Sequence, residues 1–291
     1  MKKLLSVLLA LALCLGAAPL ACAEEAGQSR AVIGADLTAE QIETVYKAFG
    51  VQRGQVTELQ LTNQEERQYL EGLVDDAVIG TRSISSVYVE LLGEGSGMDI
   101  STSNITWCTQ DMYRNALATA GVTDARIVVA APFAVSGTAA LSGIYKAYED
   151  MTGKTLDDAA KQVGTQELTI SGELAEEIGS EDSLAIIHDL KMILDVTAGM
   201  SDEEIRREIE EIAGSYSVTL TDRQIDQLIS LCRSLEGLDP DALRQRVEQV
   251  QNTLHKVSEA KDQVVGFART VGKIVTAVRG FLDTLREILA R

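Results

Sequence analysis

The sequence predicts an α+β protein in which a mixed α/β half precedes a mostly helical half. Three observations support this fold class. Strand and helix patterns alternate between residues 31 and 164, which is typical of a layered domain. From residue 165 onward, strand patterns nearly vanish. The chain ends in a heptad pattern between Pro240 and Leu289, which predicts one long amphipathic helix.

The composition is that of a folded, acidic protein. The 291 residues are 45% hydrophobic, with 44 acidic and 26 basic side chains and a formal net charge of −18. This apolar content is ordinary for a globular chain and unlike that of a disordered one. Because binding to phosphates needs Lys and Arg, the charge argues against nucleic acid as a partner.

The N-terminal segment has the features of an export signal. Lys2 and Lys3 precede a short apolar run over residues 4–15, and Ala21-Cys22-Ala23 stands before two acids. This pattern predicts a secretory signal peptide (1–23) cleaved after Ala23. The run is shorter than the ~20 residues of a membrane-spanning helix. We therefore expect a secreted, extracellular protein, with association with the cell wall as a further option.

The cysteines leave two questions open. Leu20-Ala21-Cys22 resembles part of a bacterial lipobox, but Pro19 stands where leucine is usual, so a released protein is favoured over a lipoprotein. Only Cys108 and Cys232 follow residue 23. They could form a disulfide in an oxidising compartment. Each lies among apolar residues, however, which favours two separately buried thiols.

The first half (24–164) opens with a helix. Thr38 and Gln41 have the spacing of a capping box, and the apolar stripe that follows them ends at Gly50. Alternating residues over 56–61 predict a short strand. Asn63 can then cap a second helix.

A β-branched and aromatic run from Ser83 to Leu92 predicts the next strand. The glycine-rich segment 93–97 predicts a turn, and Met98–Ile105 is expected to return as the hairpin partner. After a helix over Thr109–Ala120, the near-continuous apolar run Arg126–Ala131 predicts a strand in the centre of the sheet.

Two loops of this half are candidate sites. Ser136-Gly137-Thr138 follows a buried strand and opens a helix, where backbone amides can bind an anion; helix capping is the simpler role of such residues. A turn near a potential cleft is the second candidate, formed by Gly93, Gly95, Gly97 and Asp99. The turn matches neither the dinucleotide fingerprint, the P-loop nor the nucleophile elbow, which favours a hairpin turn.

The second half (165–291) is predicted to be helical. Four helices are indicated before the last one, at Gly172–Ile178, Ser183–Thr197, Ser201–Ala213 and Thr221–Leu235. The C-terminal helix carries apolar residues every seven positions, at Leu243, Val250, Val257, Val264, Val271, Val278 and Leu285. We expect this helix to pack against the acidic body. Docking on a membrane surface and self-association as a coiled coil are the alternatives.

The sequence contains no complete catalytic motif, so no catalytic residue, cofactor or metal site is assigned. Its two histidines, His188 and His255, both lie in predicted helices, and either would need close docking of the two halves to meet Ser136 or Cys108. Weak Ca²⁺ binding is an option for four acidic pairs, although acids on solvated helix faces explain most of them. These pairs are Asp75-Asp76, Asp157-Asp158, Glu176-Glu177 and Glu181-Asp182.

Several phrases of the sequence, taken together, resemble one bacterial family. They are Val32-Ile33-Gly34-Ala35-Asp36-Leu37, Ile84-Ser85-Ser86-Val87, Asn104-Ile105-Thr106, Ala130-Ala131-Pro132 and Val135-Ser136-Gly137-Thr138-Ala139-Ala140-Leu141. With the acidic helical half, they resemble the YpuA-like secreted family known as domain of unknown function 1002. The resemblance implies export and a cell-envelope setting, and it supplies no catalytic residue. We therefore expect a non-catalytic envelope protein that binds a cell-wall or membrane-surface component; a secreted hydrolase acting on an envelope polymer is the alternative.

Overall fold

The computed structural model describes residues 27–73 and 76–250 and confirms the α+β class. Its strands are β1 (Ser29–Gly34), β2 (Thr57–Leu61), β3 (Ser86–Leu91), β4 (Met98–Ile105) and β5 (Ala125–Val135). They form one mixed sheet in the order β2-β1-β3-β5-β4. Only β3 runs antiparallel to its neighbours. The carboxyl ends of the other four strands therefore share one edge of the sheet, here called the carboxyl edge.

The predicted hairpin between β3 and β4 is wrong, because β5 lies between these two strands. The glycine-rich segment 93–97 instead passes over the amino end of β5. There the N–H of Leu92 donates to the carbonyl of Asp124 at 2.9 Å, and the N–H of Gly97 donates to the Asp124 carboxylate at 2.7 Å. The apolar strand β5 lies inside the sheet, between β3 and β4, although β3 is the middle strand. Its burial on both faces is as predicted: Ile127 packs into the core on one face and Val128 into the core on the other.

Helices cover both faces of the sheet in the first half. Its helices are α1 (Ala39–Phe49), α2 (Asn63–Leu70), α3 (Asp76–Ile79), α4 (Gln110–Ala120) and α5 (Ala140–Thr152). α1 packs on one face, and its predicted capping box at Thr38 is present. α4 and α5 pack on the opposite face and build a core around two buried tyrosines, Tyr113 and Tyr145.

The second half is helical, as predicted. It contains α6 (Asp158–Ile178), α7 (Ser180–Met192), α8 (Leu194–Thr197), α9 (Asp202–Ser215) and α10 (Asp222–Glu236). α6 starts before the residue at which the two halves were predicted to join, so Gly164 lies inside this helix. A Cβ atom on Gly164 would lie 2.5 Å from the carbonyl oxygen of Ala116. The absence of a side chain there lets α6 pack closely against α4.

The described part of the predicted C-terminal helix packs internally. Residues 240–250 are helical and are here called α11. Leu243 and Val247 join the core of the helical half, and Val250 joins the core of the sheet. The remaining heptad positions lie outside the described residues, as do the predicted signal peptide and His255. No helix within 27–73 and 76–250 is both long and apolar enough to cross a membrane.

Cys108 and Cys232 lie in separate cores, so the expectation of two buried thiols is confirmed. Cys108 packs in the core of the sheet and Cys232 in the core of the helical half, and neither is in a disulfide. Burial raises the pKa of the Cys108 thiol to about 12 and that of the Cys232 thiol to about 11. Both side chains are therefore protonated at neutral pH.

Candidate functional site

A cavity of about 340 Å³, here called the edge cavity, opens at the carboxyl edge of the sheet. It is lined by ten residues from the first half and from α6, namely Ile79, Arg82, Ile84, Ser85, Trp107, Val135, Ser136, Thr138, Ala139 and Glu176. Small-molecule sites typically have volumes of about 300–1,000 Å³. In open α/β sheets, ligands bind beyond the carboxyl ends of the strands. The edge cavity has both the size and the position of a binding site.

A β-bulge shapes one wall of the edge cavity. The register of β4 against β5 shifts between Ser103 and Ile105, and Asn104 adopts a positive φ of 59°. The amide nitrogen of the Asn104 side chain donates to the carbonyl of Ala131 at 2.8 Å, which anchors the bulge to the neighbouring strand. Bulges re-aim the residues that follow them. Here the chain that leaves β4 carries Trp107 to the edge cavity.

Trp107 connects the sheet to α6. Its indole Nε1 donates to Oε1 of Glu176 at 2.6 Å. The ring lies against Gly172, where a Cβ atom would fall 2.1 Å from the ring atom Cη2. Any side chain at this position would displace the ring. The glycine and the carboxylate of α6 therefore fix the tryptophan in place at the cavity wall.

The structure places the predicted loop Ser136-Gly137-Thr138 on the wall of the edge cavity. Gly137 has a φ of 97°, and its carbonyl accepts a hydrogen bond from the Tyr113 hydroxyl at 2.6 Å. The predicted capping role of Ser136 and Thr138 is wrong, because the N-cap of α5 is Ala139, which forms no side-chain cap. α5 begins two residues after Thr138, too far along the chain for the expected cap geometry.

This loop uses two of the backbone amides that were expected to bind an anion. The N–H of Ala140 donates to the carbonyl of Gly137 at 3.0 Å, and the N–H of Leu141 donates to the carbonyl of Thr138 at 3.3 Å. The positive charge at the cavity wall comes from Arg82, whose Nη2 donates to the backbone carbonyl of Asp36 at 3.0 Å. An anionic ligand group would therefore be held mainly by a side chain.

The second predicted site lies at the opposite end of the sheet. The turn with Gly93, Gly95 and Gly97 adjoins the amino end of β5, and Asp99 pairs in register with Arg126. Ser136 directly follows the carboxyl end of the same strand. β5 has 11 residues, so its two ends are separated by roughly 30 Å at ~3.3 Å per residue. The two predicted loops do not form one cleft.

A buried carboxyl that sequence reasoning missed lies behind the cavity wall. Glu66 of α2 is 0% exposed; it accepts a hydrogen bond from the Ser83 hydroxyl and another from the Asn63 side chain at 3.2 Å. The N–H of Ser83 donates to the Asp36 carboxylate at 2.7 Å. Burial raises the pKa of Glu66 to about 7. A glutamate in the first turn of a helix resembles an ordinary dipole-stabilising residue, so the sequence gives no signal of this burial.

His188 and Ser136 are not brought together. His188 lies on α7 and lines another cavity, of about 580 Å³, with Asp111 and Tyr216. Burial lowers the pKa of His188, as is usual for a partly buried histidine. Cys108 is buried in the core of the sheet. The predicted candidates for nucleophile and base therefore occupy different places in the fold.

Members of two of the acidic pairs proposed for Ca²⁺ have structural partners. Asp157 caps α6 through two backbone N–H groups, and Asp158 pairs with Lys161 at 2.8 Å. Glu177 accepts a hydrogen bond from the side chain of Gln224 at 2.9 Å. Within the described ranges, no group of three or more His, Cys, Asp or Glu side chains could hold a metal ion.

Comparison with known sequences identifies the family. Residues 33–257 match the family described as "Protein of unknown function (DUF1002)". The chain belongs to this family. It is 38% identical over 271 residues to "Uncharacterized protein YpuA" of Bacillus subtilis (strain 168), and the match covers 92% of this chain and 90% of that relative. No solved structure shows a significant match to the chain.

The phrases by which this DUF1002 protein resembles its family converge at the carboxyl edge. Asp36 follows β1, Ser85 precedes β3, Thr106 follows β4 and Ser136 follows β5. Ser85 and Ser136 line the edge cavity directly. Asp36 binds the backbone of the wall segment through Ser83. Residues far apart in the sequence thus build one region of the fold.

Proposed function

We propose that this DUF1002 protein is an exported, non-catalytic binding module of the bacterial cell envelope, and that its ligand occupies the edge cavity. The observation that carries the proposal is the composition of the cavity wall. A guanidinium (Arg82), a carboxylate (Glu176) and an indole (Trp107) line one volume together with apolar side chains. Five of the ten lining residues are apolar and five are polar or charged, and ligand sites combine apolar side chains with a few placed polar groups.

Export is supported by the N-terminal sequence. Two lysines, a short apolar run and the small residues around Ala23 match the pattern of a cleaved secretory signal. The first molecules that an exported protein contacts are envelope polymers and the outward-facing surface of the membrane. We therefore place the ligand among cell-wall or membrane-surface components.

The groups at the edge cavity favour binding over hydrolysis. Among its lining residues, Glu176 is the one carboxylate, whereas glycoside hydrolysis uses a pair of facing carboxyl groups. A serine nucleophile needs a base within hydrogen-bond reach, and His188 lines a different cavity. The competing hydrolase function would depend on Ser136 at this wall.

The single tryptophan of the chain provides a direct test. Trp107 lines the edge cavity and has no other tryptophan to mask its signal. We expect its fluorescence to change saturably when the purified protein is titrated with solubilised cell-wall fragments. Arg82→Ala should weaken this response, whereas Arg126→Ala should not, because Arg126 is half-exposed at the far end of β5.

Two outcomes would contradict the proposed function. The first is the absence of any fluorescence response to wall fragments and to anionic and neutral lipid vesicles. The second is release of soluble products from wall fragments that is lost in Ser136→Ala while the circular dichroism spectrum is unchanged. The second result would establish the hydrolase alternative.

A further inference from the structure

We propose that the edge cavity binds a zwitterionic ligand, namely a short peptide that carries both a free carboxylate and a free ammonium group. This inference rests on the proposed function and names its ligand class. It follows from the two opposite charges at the cavity wall, Arg82 and Glu176. The ligand carboxylate lies at Arg82 and the ligand ammonium at Glu176.

Both charges are positioned by neutral groups. Arg82 donates to the backbone carbonyl of Asp36 at 3.0 Å, and Glu176 accepts from the indole of Trp107 at 2.6 Å. A guanidinium has five N–H donors and a carboxylate accepts about four hydrogen bonds, so each retains capacity for a ligand. Many other arginines of the described chain are paired with carboxylates; Arg53 with Glu58 at 2.8 Å is one example.

The two charges select against ligands of a single sign. A phosphate or a dicarboxylate would gain from Arg82 but would be repelled by Glu176 and by the net charge of −18. A diamine would gain from Glu176 but would be repelled by Arg82. A zwitterion satisfies both side chains at once, and charge-assisted hydrogen bonds of this kind are stronger than neutral ones.

The size and the apolar residues of the cavity fit a short peptide. The volume is about 340 Å³, near the lower end of small-molecule sites. Ile79, Ile84 and Val135 lie on the same wall and offer apolar contact to small side chains.

The test uses four probes and calorimetry on the full chain. The probes are alanyl-alanine, its N-acetyl form, its C-terminal amide and the neutral disaccharide diacetylchitobiose. We expect alanyl-alanine to bind and each blocked form to bind about tenfold more weakly or worse, since a charge-assisted hydrogen bond is lost. Diacetylchitobiose should not compete.

Charge-neutral variants then assign each end of the peptide. Arg82→Gln should bind alanyl-alanine and its amide equally but still discriminate against the N-acetyl form. Glu176→Gln should show the reverse selectivity. Because each variant retains one discrimination, a folding defect is distinguished from loss of a specific contact. Arg126→Gln, outside the cavity, should behave like the unchanged protein.

The outcomes separate this inference from the proposed function. Equal binding of all three peptide forms, or binding of the disaccharide alone, overturns the zwitterion. A Trp107 response to wall fragments without binding of any peptide form also overturns it but leaves the proposed function standing. No response to either kind of probe contradicts both.

Discussion

The ammonium of Lys191 and the carboxylate of Glu167 form an ion pair inside the protein. Their Nζ and Oε1 atoms lie 2.5 Å apart, and the side chains are 2% and 1% exposed. The hydroxyl of Thr119 on α4 donates to the second oxygen of Glu167 at 2.6 Å. This network connects α6 and α7 to the helix that covers the sheet, so the two halves of the chain share a polar contact in their interior.

Removing one member of this ion pair should lower the stability of the protein. Lys191→Met leaves the Glu167 carboxylate buried without its cation, which should lower the free energy of unfolding by about 3–5 kcal/mol. Adding Glu167→Leu should recover much of the loss, because an apolar pair needs no desolvated charge. Urea unfolding followed by circular dichroism measures both variants.

The control is an exposed ion pair of the same helical half. Arg223→Met removes an exposed partner of Glu173 and Glu177 and should lower the free energy of unfolding by less than about 1 kcal/mol. If the double variant proved no more stable than Lys191→Met, the charge of Glu167 would not be the source of the loss.

Gly172 should tolerate no side chain while Trp107 stays in place. Gly172→Ala puts a methyl group into the indole ring, and overpacking of this kind costs about 1–3 kcal/mol. We also expect a shift of the tryptophan emission, because the hydrogen bond from Trp107 to Glu176 is strained. Thermal melting and emission spectra check the two effects together.

Gly214→Ala is the matched control for that substitution. Gly214 lies in α9, where a Cβ atom meets nothing within 4 Å. Alanine there should raise stability by up to about 1 kcal/mol, since it lowers the entropy of the unfolded chain. An unchanged emission spectrum in Gly172→Ala would show that the ring does not lie against α6.

Local features of the fold were predictable from the sequence. Thr38 caps its helix with the expected capping box, because the partner residue lies three positions along the chain. Ser201 forms the same motif at the start of α9. The order of the strands was not predictable in this way. Adjacent strands with a glycine-rich turn favour a hairpin. The apolar strand β5 follows about 20 residues later, however, and long-range burial places it between β3 and β4.

The candidate site was predictable only in part. The loop at Ser136 was predicted because strand, glycine and helix signals adjoin in sequence. Arg82 and Trp107 were not, and Glu176 was considered only as half of an acidic pair. These three side chains come from segments far apart in the chain, and the bulge at Asn104 and the close contact at Gly172 bring them together. Such contacts leave no periodic pattern in the sequence.

The C-terminal helix should contribute to stability from its first turns. Leu243 is 1% exposed and packs in the core of the helical half, so Leu243→Ala should lower the free energy of unfolding by about 2–5 kcal/mol. Glu248→Ala, on the exposed face of α11, should change it by no more than about 0.5 kcal/mol. Equal stability of the two variants would mean that α11 does not pack on the body in solution.

Glu66 should make the stability of the protein depend on pH. Its pKa rises from 4.5 in the unfolded chain to about 7 in the folded protein, chiefly through burial and with further contributions from Asp36 and Glu65. Between these values the folded state holds more protons than the unfolded state. The contribution of Glu66 to stability is therefore fully present below pH 4.5 and is lost as the pH rises through 7.

Glu66→Gln should remove this dependence. Because glutamine carries no proton to lose, the stability of this variant relative to the wild type should increase by about 2.5 kcal/mol between pH 5 and pH 8. Any loss of the hydrogen bond from Asn63 is a constant offset and leaves the slope unchanged. Urea unfolding at pH 5, 6, 7 and 8 measures the difference. Glu71→Gln alters an exposed carboxylate just after the same helix and should follow the wild type. Parallel profiles for Glu66→Gln and the wild type would show that the Glu66 carboxyl titrates alike in both states, against the burial that the fold imposes on it.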